Sequence, residues 1–345
     1  MNRFRSVFVL LAALMIGFVV ATPADACGCG AFVPREGSAS VPQERALIHW
    51  DGQTEQIVME LAVEGDAREA AWILPVPTRA TVQLADARLF DELQELTKPR
   101  RAWALRWSEN EGVGGAAPGA GVTVLDQQTL GPFEVTNLAA TDAGVLQAWL
   151  QQNGYQFPPR LEQALEPYVA QGWTYVAVKL AASQPDQALA GNLDPLWVTF
   201  ASDQIVYPMR ASALAQSSLN VVLYVLADHR VEKAQEFGYG NVQYADWIEG
   251  DQVAADSPLQ PFVQQRMFLT KIQEYIDQPD RIYADYNFTF AAQDTVFHQV
   301  ETEFIYVSNL ILAGLCLLVV IGGGAALLVL LISRSKRRRS TQASL

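Results

Sequence analysis

Thirty consecutive uncharged residues, Phe304 to Ser333 (FIYVSNLILAGLCLLVVIGGGAALLVLLIS), run directly into Arg334, Lys336 and Arg337-Arg338-Arg339. An apolar stretch of that length is read as one helix across a bilayer, and the basic cluster holds its C-terminal end on the cytoplasmic side. The other end agrees. Arg3 and Arg5 precede an apolar block from Val7 to Val20, and Ala24-Asp25-Ala26 forms an A-x-A cleavage signal before Cys27. The expectation is a type I single-pass cell-membrane protein: a signal peptide over 1–26, an extracytoplasmic domain over 27–303, a transmembrane helix over 304–333 and a basic cytoplasmic tail over 334–345.

Charge divides along the same lines. Between Cys27 and Ser333 there are 17 Lys and Arg against 36 Asp and Glu, a formal −19. Such a surface repels nucleic acid, which is excluded as a partner, and favours cations or basic partners; it also keeps an exposed domain soluble. Apolar residues are 50% of the chain, enough for a packed core rather than a disordered stalk. Of the three cysteines, Cys316 falls in the apolar run, so packing and not a disulfide lattice must hold the fold.

The folded stretch begins near Glu44. Ile57, Met59, Leu61 and Val63 alternate with Gln56, Val58, Glu60 and Ala62, the period of a strand. Ala70-Ala71-Trp72-Ile73-Leu74 reads as a buried strand that stops at Pro75-Val76-Pro77, a sheet edge or strand exit. A helix opens at Asp86, carries Leu89, Phe90, Leu93 and Leu96 on one stripe, and ends at Lys98-Pro99. The segment 110–121 (NEGVGGAAPGAG) is a Gly-rich loop. Two helices follow, with Val145, Leu146, Trp149 and Leu150 on one face and Leu161, Ala164, Leu165, Tyr168 and Val169 on the other. Asn153-Gly154 and Gly172 close them. Strands are expected over Trp173–Leu180, Leu196–Phe200, Ile205–Tyr207 and Leu219–Leu226, the last apolar on both faces and therefore central. Phe262, Met267, Phe268, Ile272 and Ile276 suggest a helix over 260–276. The fold class is α+β: a strand-rich ectodomain with a few short helices, in strand-rich blocks over 44–109 and 122–300, plus one C-terminal transmembrane helix.

Five stretches carry a likeness: Cys27-Gly28-Cys29-Gly30-Ala31-Phe32, Glu44-Arg45-Ala46-Leu47-Ile48, Ala71-Trp72-Ile73-Leu74-Pro75-Val76-Pro77, Trp149-Leu150-Gln151-Gln152-Asn153-Gly154-Tyr155 and Tyr207-Pro208-Met209-Arg210. In them the chain resembles the bacterial envelope family catalogued as domain of unknown function 2330. The resemblance implies an exported bacterial protein, often with a C-terminal membrane helix. It implies no substrate, cofactor or catalytic residue.

Candidate chemistry is sparse. Cys27 and Cys29, near the expected mature N-terminus, could close a small disulfide that pins that end, act as a redox pair, or ligate a soft metal with further ligands. Asp228-His229-Arg230 sits at the exit of a buried strand, where acid–base residues gather, although neighbours in an extended chain face opposite ways. Asp246, Glu249, Asp251 and Asp256, and also Asp277, Asp280 and Asp285, are dense enough in oxygen to hold calcium but lack the EF-hand spacing. Trp103, Trp107, Trp173 and Trp197 could line a sugar or peptide groove, or lie in the core. Gly322-x-x-x-Ala326 in the apolar run would permit a homodimer, and nothing else in the chain asks for one. No assembled catalytic or cofactor motif accompanies these groups, and no metal site is assigned. The leading expectation is a non-enzymatic, acidic envelope module that binds another envelope protein or ligand. The alternative is thiol redox or metal handling through Cys27 and Cys29.

Overall fold

The computed structural model describes residues 25–26, 30–106, 134–139, 143–157, 159–182 and 187–306. The described residues up to Lys98, with those from 134 to His298, make one compact unit; Pro99–Arg106 and Gln299–Tyr306 make a second. Cys27 and Cys29, the loop at 110–121, Trp107, and the apolar run and basic tail from 307 onward lie outside the described residues.

Strands are numbered along the chain. In the larger unit β1 (Asp25–Ala26), β2 (Ala31–Pro34), β5 (Glu69–Val76), β9 (Thr174–Ala181) and β8 (Glu134–Ala139) form an antiparallel sheet in the order β1-β2-β5-β9-β8. A nine-stranded sheet contains β3 (Ala39–Trp50), β4 (Thr54–Gly65), β6 (Thr81–Leu84), β10 (Gly191–Asn192), β11 (Leu196–Ala201), β13 (Leu219–Ala227), β15 (Tyr239–Ile248), β16 (Met267–Ile276) and β18 (Phe297–His298). Its order is β18-β15-β16-β13-β3-β4-β11-β6, with β10 beside β4, and β13 lies parallel to β3. A small third sheet is β12 (Ile205–Tyr207), β17 (Tyr286–Phe290) and β14 (Val231–Lys233). The architecture is strand-rich α+β with three short helices among the described residues: α1 (Leu89–Leu96), α2 (Ala143–Gln152) and α3 (Pro159–Ala170). Strands from before and after the Gly-rich loop share both large sheets, so neither side builds either of those two by itself.

Alternation sets the layers. Ile57, Met59, Leu61 and Val63 turn inward to a core shared with Trp72, Leu74, Val176 and Val178 of the five-stranded sheet. Ala71 and Ile73 face the other way and pack under α2 and α3 with Leu146, Leu150, Leu165 and Tyr168. Both faces of β5 are therefore buried, which is why its sequence reads as one apolar run. Its Pro75 is at the exit: the assigned ladder to β2 ends at Ile73, while that to β9 continues to Val76. On the outer face of the nine-stranded sheet, α1 and the segment 250–263 cover Leu47, Val58, Leu226 and Leu269. At the C-terminal end of α2, Gly154 takes φ +80 and Tyr155 N–H donates to Leu150 O at 2.8 Å, the left-handed cap its Asn-Gly pair foretold.

Two expectations change. The span 260–276 is not a helix: Met267 to Ile276 form β16, hydrogen-bonded to β13 on one side and β15 on the other. Burial on both faces hides the period of two, leaving apolar spacings that imitate a helix. The second unit is a parallel pair, β7 (Arg100–Arg106) and β19 (Val300–Tyr306), in register from Val300↔Arg100 to Tyr306↔Arg106. The apolar run expected to be helical from Phe304 thus begins as strand through Tyr306, because Phe304, Ile305 and Tyr306 complete a ladder opposite Ala104, Leu105 and Arg106. Among the described residues no helix is long and apolar enough to cross a membrane.

Buried carboxylates fasten the small sheet to its surroundings. Glu44 of β3 accepts the Tyr207 hydroxyl of β12. Glu55 of β4, fully buried, accepts Val206 N–H at 3.1 Å. Asp285 accepts Met209 N–H at 2.8 Å, Arg210 N–H and Nε each at 3.2 Å, and the Tyr168 hydroxyl from α3. Glu274 of β16 takes Lys233 Nζ at 2.7 Å, Phe237 N–H at 2.7 Å and Gly238 N–H at 2.6 Å. Burial pushes Glu55 well above its ordinary pKa, against the opposing bonds from Val206 and Ser202. For Glu274 burial also pushes upward, but Lys233 and the Phe237 N–H outweigh it and hold the group below the usual value.

Two outcomes follow from this chemistry. An acid whose folded pKa is raised favours the fold in its protonated form. That stabilisation is complete below the unfolded value and is lost as pH rises toward the folded one. Glu55→Gln, which stays neutral, is expected to match the parent melting temperature near the ordinary Glu value of 4.5 and to exceed it increasingly toward pH 8, in melting curves recorded across about pH 4–8. Asp285→Ala leaves Arg210 and three further donors short of their acceptor and is expected to cost at least about 3 kcal/mol in denaturant titration.

Candidate functional site

The residues singled out by sequence disperse. His229 follows β13 and pairs not with Asp228 but with Asp294, Nδ1 to Oδ2 at 2.8 Å, with its side chain 55% exposed. Its ring meets Phe290 edge-on, and among the described residues no hydroxyl or thiol is hydrogen-bonded to it. The acidic groups divide among separate partners. Asp246 bonds His298 Nε2 at 2.8 Å, Glu249 bonds Arg266 at 3.1 Å, and Asp285 serves the anchor above. No three His, Cys, Asp or Glu side chains gather to hold a metal among the described residues. Trp173 is buried against Tyr168, and Trp197 packs on Phe262 at 4.6 Å while its Nε1 donates to Gln56 Oε1. Trp103 is exposed on β7 of the smaller unit.

What assembles instead is a strip on the outer face of the nine-stranded sheet, at the end that α1 and segment 250–263 leave open. Strand partners share a face, and alternate residues along a strand repeat it. Tyr239 of β15 stands opposite Tyr275 of β16, and Tyr275 opposite Asn220 of β13; Asn241 stands opposite Gln273. The two tyrosines are 76% and 48% exposed. Because β18 pairs only with Tyr244 and Ala245, the Tyr239 end of β15 is the rim of the sheet.

A bulge shapes the strip. The β15–β16 register shifts between Val242 and Tyr244, so Gln243 is the extra residue. Val242 packs inward against the core, whereas Gln243 reaches the outer face and donates its amide to Gln273 Oε1 at 2.7 Å. Gln273 in turn donates to Asn220 Oδ1 at 2.9 Å. The result is a three-amide ladder across β15, β16 and β13. The carbonyl of Gln243 at one end and the amide NH2 of Asn220 at the other have no partner among the described residues. Glycines permit the close approach beneath it: a Cβ on Gly240 would lie 2.3 Å from Gln273 O, and one on Gly238 would lie 2.1 Å from Tyr275 O.

Toward α1 the strip ends at charged groups. Lys271, opposite Tyr244 on one side and Tyr224 on the other, is 8% exposed, with its amine 5.5 Å from the Tyr224 ring centroid. Burial pulls its pKa below the ordinary lysine value. Burial likewise pushes Tyr224 up to about 12, against a bond from Thr97 at the end of α1. Arg45 is bound to Glu60 and lies over Phe90 at 5.2 Å, so its charge is committed. Burial raises Glu60, and Arg45 opposes that shift.

Sequence reading missed this face because its polar residues sit at alternate positions, Lys271, Gln273 and Tyr275, inside the span taken for a helix. Read at a period of two, the same letters place Lys271, Gln273 and Tyr275 on one row after the buried Met267 and Leu269, and Phe268, Ile272 and Ile276 on the other.

A family model described as an uncharacterized protein conserved in bacteria, DUF2330, matches residues 23–289. No curated protein matches the chain. Among solved structures, the crystal structure of baculovirus P35 is similar at a TM-score of 0.35 and 11% identity, over 76% of this chain and 100% of that one. A likeness that slight carries no argument about either fold or function.

The glycine contact is directly testable. Gly240→Val is expected to lift the rim of β15 off β16, raising amide exchange at Tyr239–Val242 on the order of 100-fold while Tyr244–Ile248 stays protected, as read by hydrogen-exchange mass spectrometry.

Proposed function

The chain belongs to the DUF2330 family of uncharacterized proteins conserved in bacteria, and from that premise we propose that it is a binding module of the bacterial cell envelope that grips a glycan on the tyrosine–amide strip. The envelope placement rests on the leader-like N-terminus and the apolar run closed by basic residues. The glycan rests on one observation: two exposed tyrosines face each other across neighbouring strands beside a hydrogen-bonded row of amides.

Sugar rings ask for both features at once. Their C–H faces pack on aromatic rings, and their hydroxyls exchange hydrogen bonds with neutral amides whose desolvation costs little compared with that of charges. A docking face for a protein would instead have an apolar centre inside a polar rim. Here the centre is amide: Gln243, Gln273 and Asn220, each half-buried and held in place by its neighbour. Tyr239, Asn241, Gln243, Gln273, Tyr275 and Asn220 carry no charge, although the whole chain has a formal net charge of −13. An interruption of that kind in an acidic surface suits a hydroxyl-rich ligand.

The test uses the purified full chain and protein-free, insoluble bacterial wall glycan. The parent is expected to bind. Tyr239→Ala and Tyr275→Ala should each weaken binding about tenfold, on the order of 1 kcal/mol per ring, and the double variant roughly 100-fold, with melting temperatures unchanged because both rings are exposed. No binding by the parent, or binding indifferent to both substitutions, would sink the reading.

A further inference from the structure

Lys271 has no ion pair and no hydrogen bond among the described residues, yet it is 8% exposed. The other basic side chains near the same core have acids to face: Arg45 has Glu60 and Lys233 has Glu274. The aliphatic stem of Lys271 is buried while its amine keeps a narrow opening to the surface, so the charge is partly desolvated and a ring face at 5.5 Å offsets only part of that cost. Lys271 shares its face of β16 with Gln273 and Tyr275. Alternate residues on a strand are about 6.8 Å apart, so Lys271 and Tyr275 are separated by about 14 Å, a length that a short run of sugar rings covers. The strip therefore has aromatic rings at its outer end, amides in the middle and one uncompensated cation at its inner end.

We propose that Lys271 is the seat of a carboxylate, and that the glycan bound on this strip is an acidic one, carrying a carboxylic acid on a ring lying beyond the amide ladder. The proposal rests on the glycan reading above and adds the ligand's charge and orientation. A carboxylate is favoured over a phosphate by the donor set. The nearby guanidinium, Arg45, is committed to Glu60, and a single ammonium matches one negative charge better than a phosphate, whose oxygens call for forked or multiple donors. The acidity of the whole chain opposes an anion at long range. Salt limits that repulsion to about 8 Å at physiological ionic strength, and the residues of the strip carry no carboxylate of their own. Asp246, farther along the outer row of β15, is taken up by His298.

The experiment titrates the purified full chain with a hexuronic-acid tetramer and with the same tetramer after reduction of its carboxyl groups to alcohols. The parent is expected to bind the acidic tetramer at least about tenfold more tightly, the range of one charge-assisted hydrogen bond. Lys271→Met should remove that preference, keep the affinity for the reduced tetramer, and melt no lower than the parent, since it keeps the buried stem and deletes a partly desolvated charge with no counter-ion among the described residues. Should Lys271→Met fail to fold, acylation of the parent's lysines followed by peptide mass spectrometry gives an independent readout: Lys271 is expected to be shielded by the acidic tetramer and not by the reduced one. Equal binding of both tetramers by the parent, lost in Tyr239→Ala, would overturn the assignment of Lys271 and leave the glycan reading intact. Binding of neither tetramer would overturn both.

Discussion

Four desolvated carboxylates hold this fold together, three of them placed by long strands. Glu44 and Glu55 come from the central β3–β4 hairpin, Glu274 from β16, and Asp285 from the residue just before β17. All four accept hydrogen bonds from the small β12-β17-β14 sheet or from the segments leading into and out of it. A three-stranded sheet with a three-residue strand at each side has little ladder of its own. Its position is fixed because these buried acids require donors, and the sheet and its flanking segments supply them from backbone N–H groups and from the Tyr207 hydroxyl and Lys233. The arrangement also separates charge states: Glu55, with no cation beside it among the described residues, is pushed toward the neutral acid by burial, while Glu274 beside Lys233 is held as the anion.

That anchoring explains which parts of the architecture were legible in the sequence. A strand with one clear period announced itself, as β4 did through Ile57, Met59, Leu61 and Val63, and so did the glycine caps of α2 and α3, because both signals are local. The likeness to the family rested partly on Glu44-Arg45-Ala46-Leu47-Ile48 and Tyr207-Pro208-Met209-Arg210, and the structure brings those two stretches together through the Glu44–Tyr207 bond. The pairing itself could not be read, since nothing near Glu44 names a partner 163 positions away. The β16 segment was misread for a different reason: a strand buried on both faces loses its alternation, and what remains is a set of apolar letters that a helix accommodates equally well.

The candidate site was less legible than the fold. Motif reading favours residues with reactive chemistry, and here those residues were His229, tied to Asp294 at the surface, and acids committed to holding backbone. The strip consists of tyrosine and amide side chains, each ordinary alone, drawn from β13, β15 and β16. It becomes a surface only through cross-strand register and one extra residue, Gln243, which the bulge turns outward. Lys271 shows the same dependence on context: its sequence neighbours do not foretell that no counter-ion stands beside it among the described residues, which only the three-dimensional arrangement reveals.

The parallel contact between β3 and β13 has a consequence for how the chain must be made. Residues Gln43 to His49 find their partners only at Asn220 to Leu226, and β13 in turn needs β16 on its far side. A chain emerging from its N-terminus has the β3–β4 hairpin early, but one flank of β3 stays unpaired until more than half of the chain has been made. Until then the apolar inner face and an open row of backbone donors and acceptors are exposed together, the combination that invites association between chains. Synthesis therefore passes through a long interval in which the middle of the sheet is present and its closure is not.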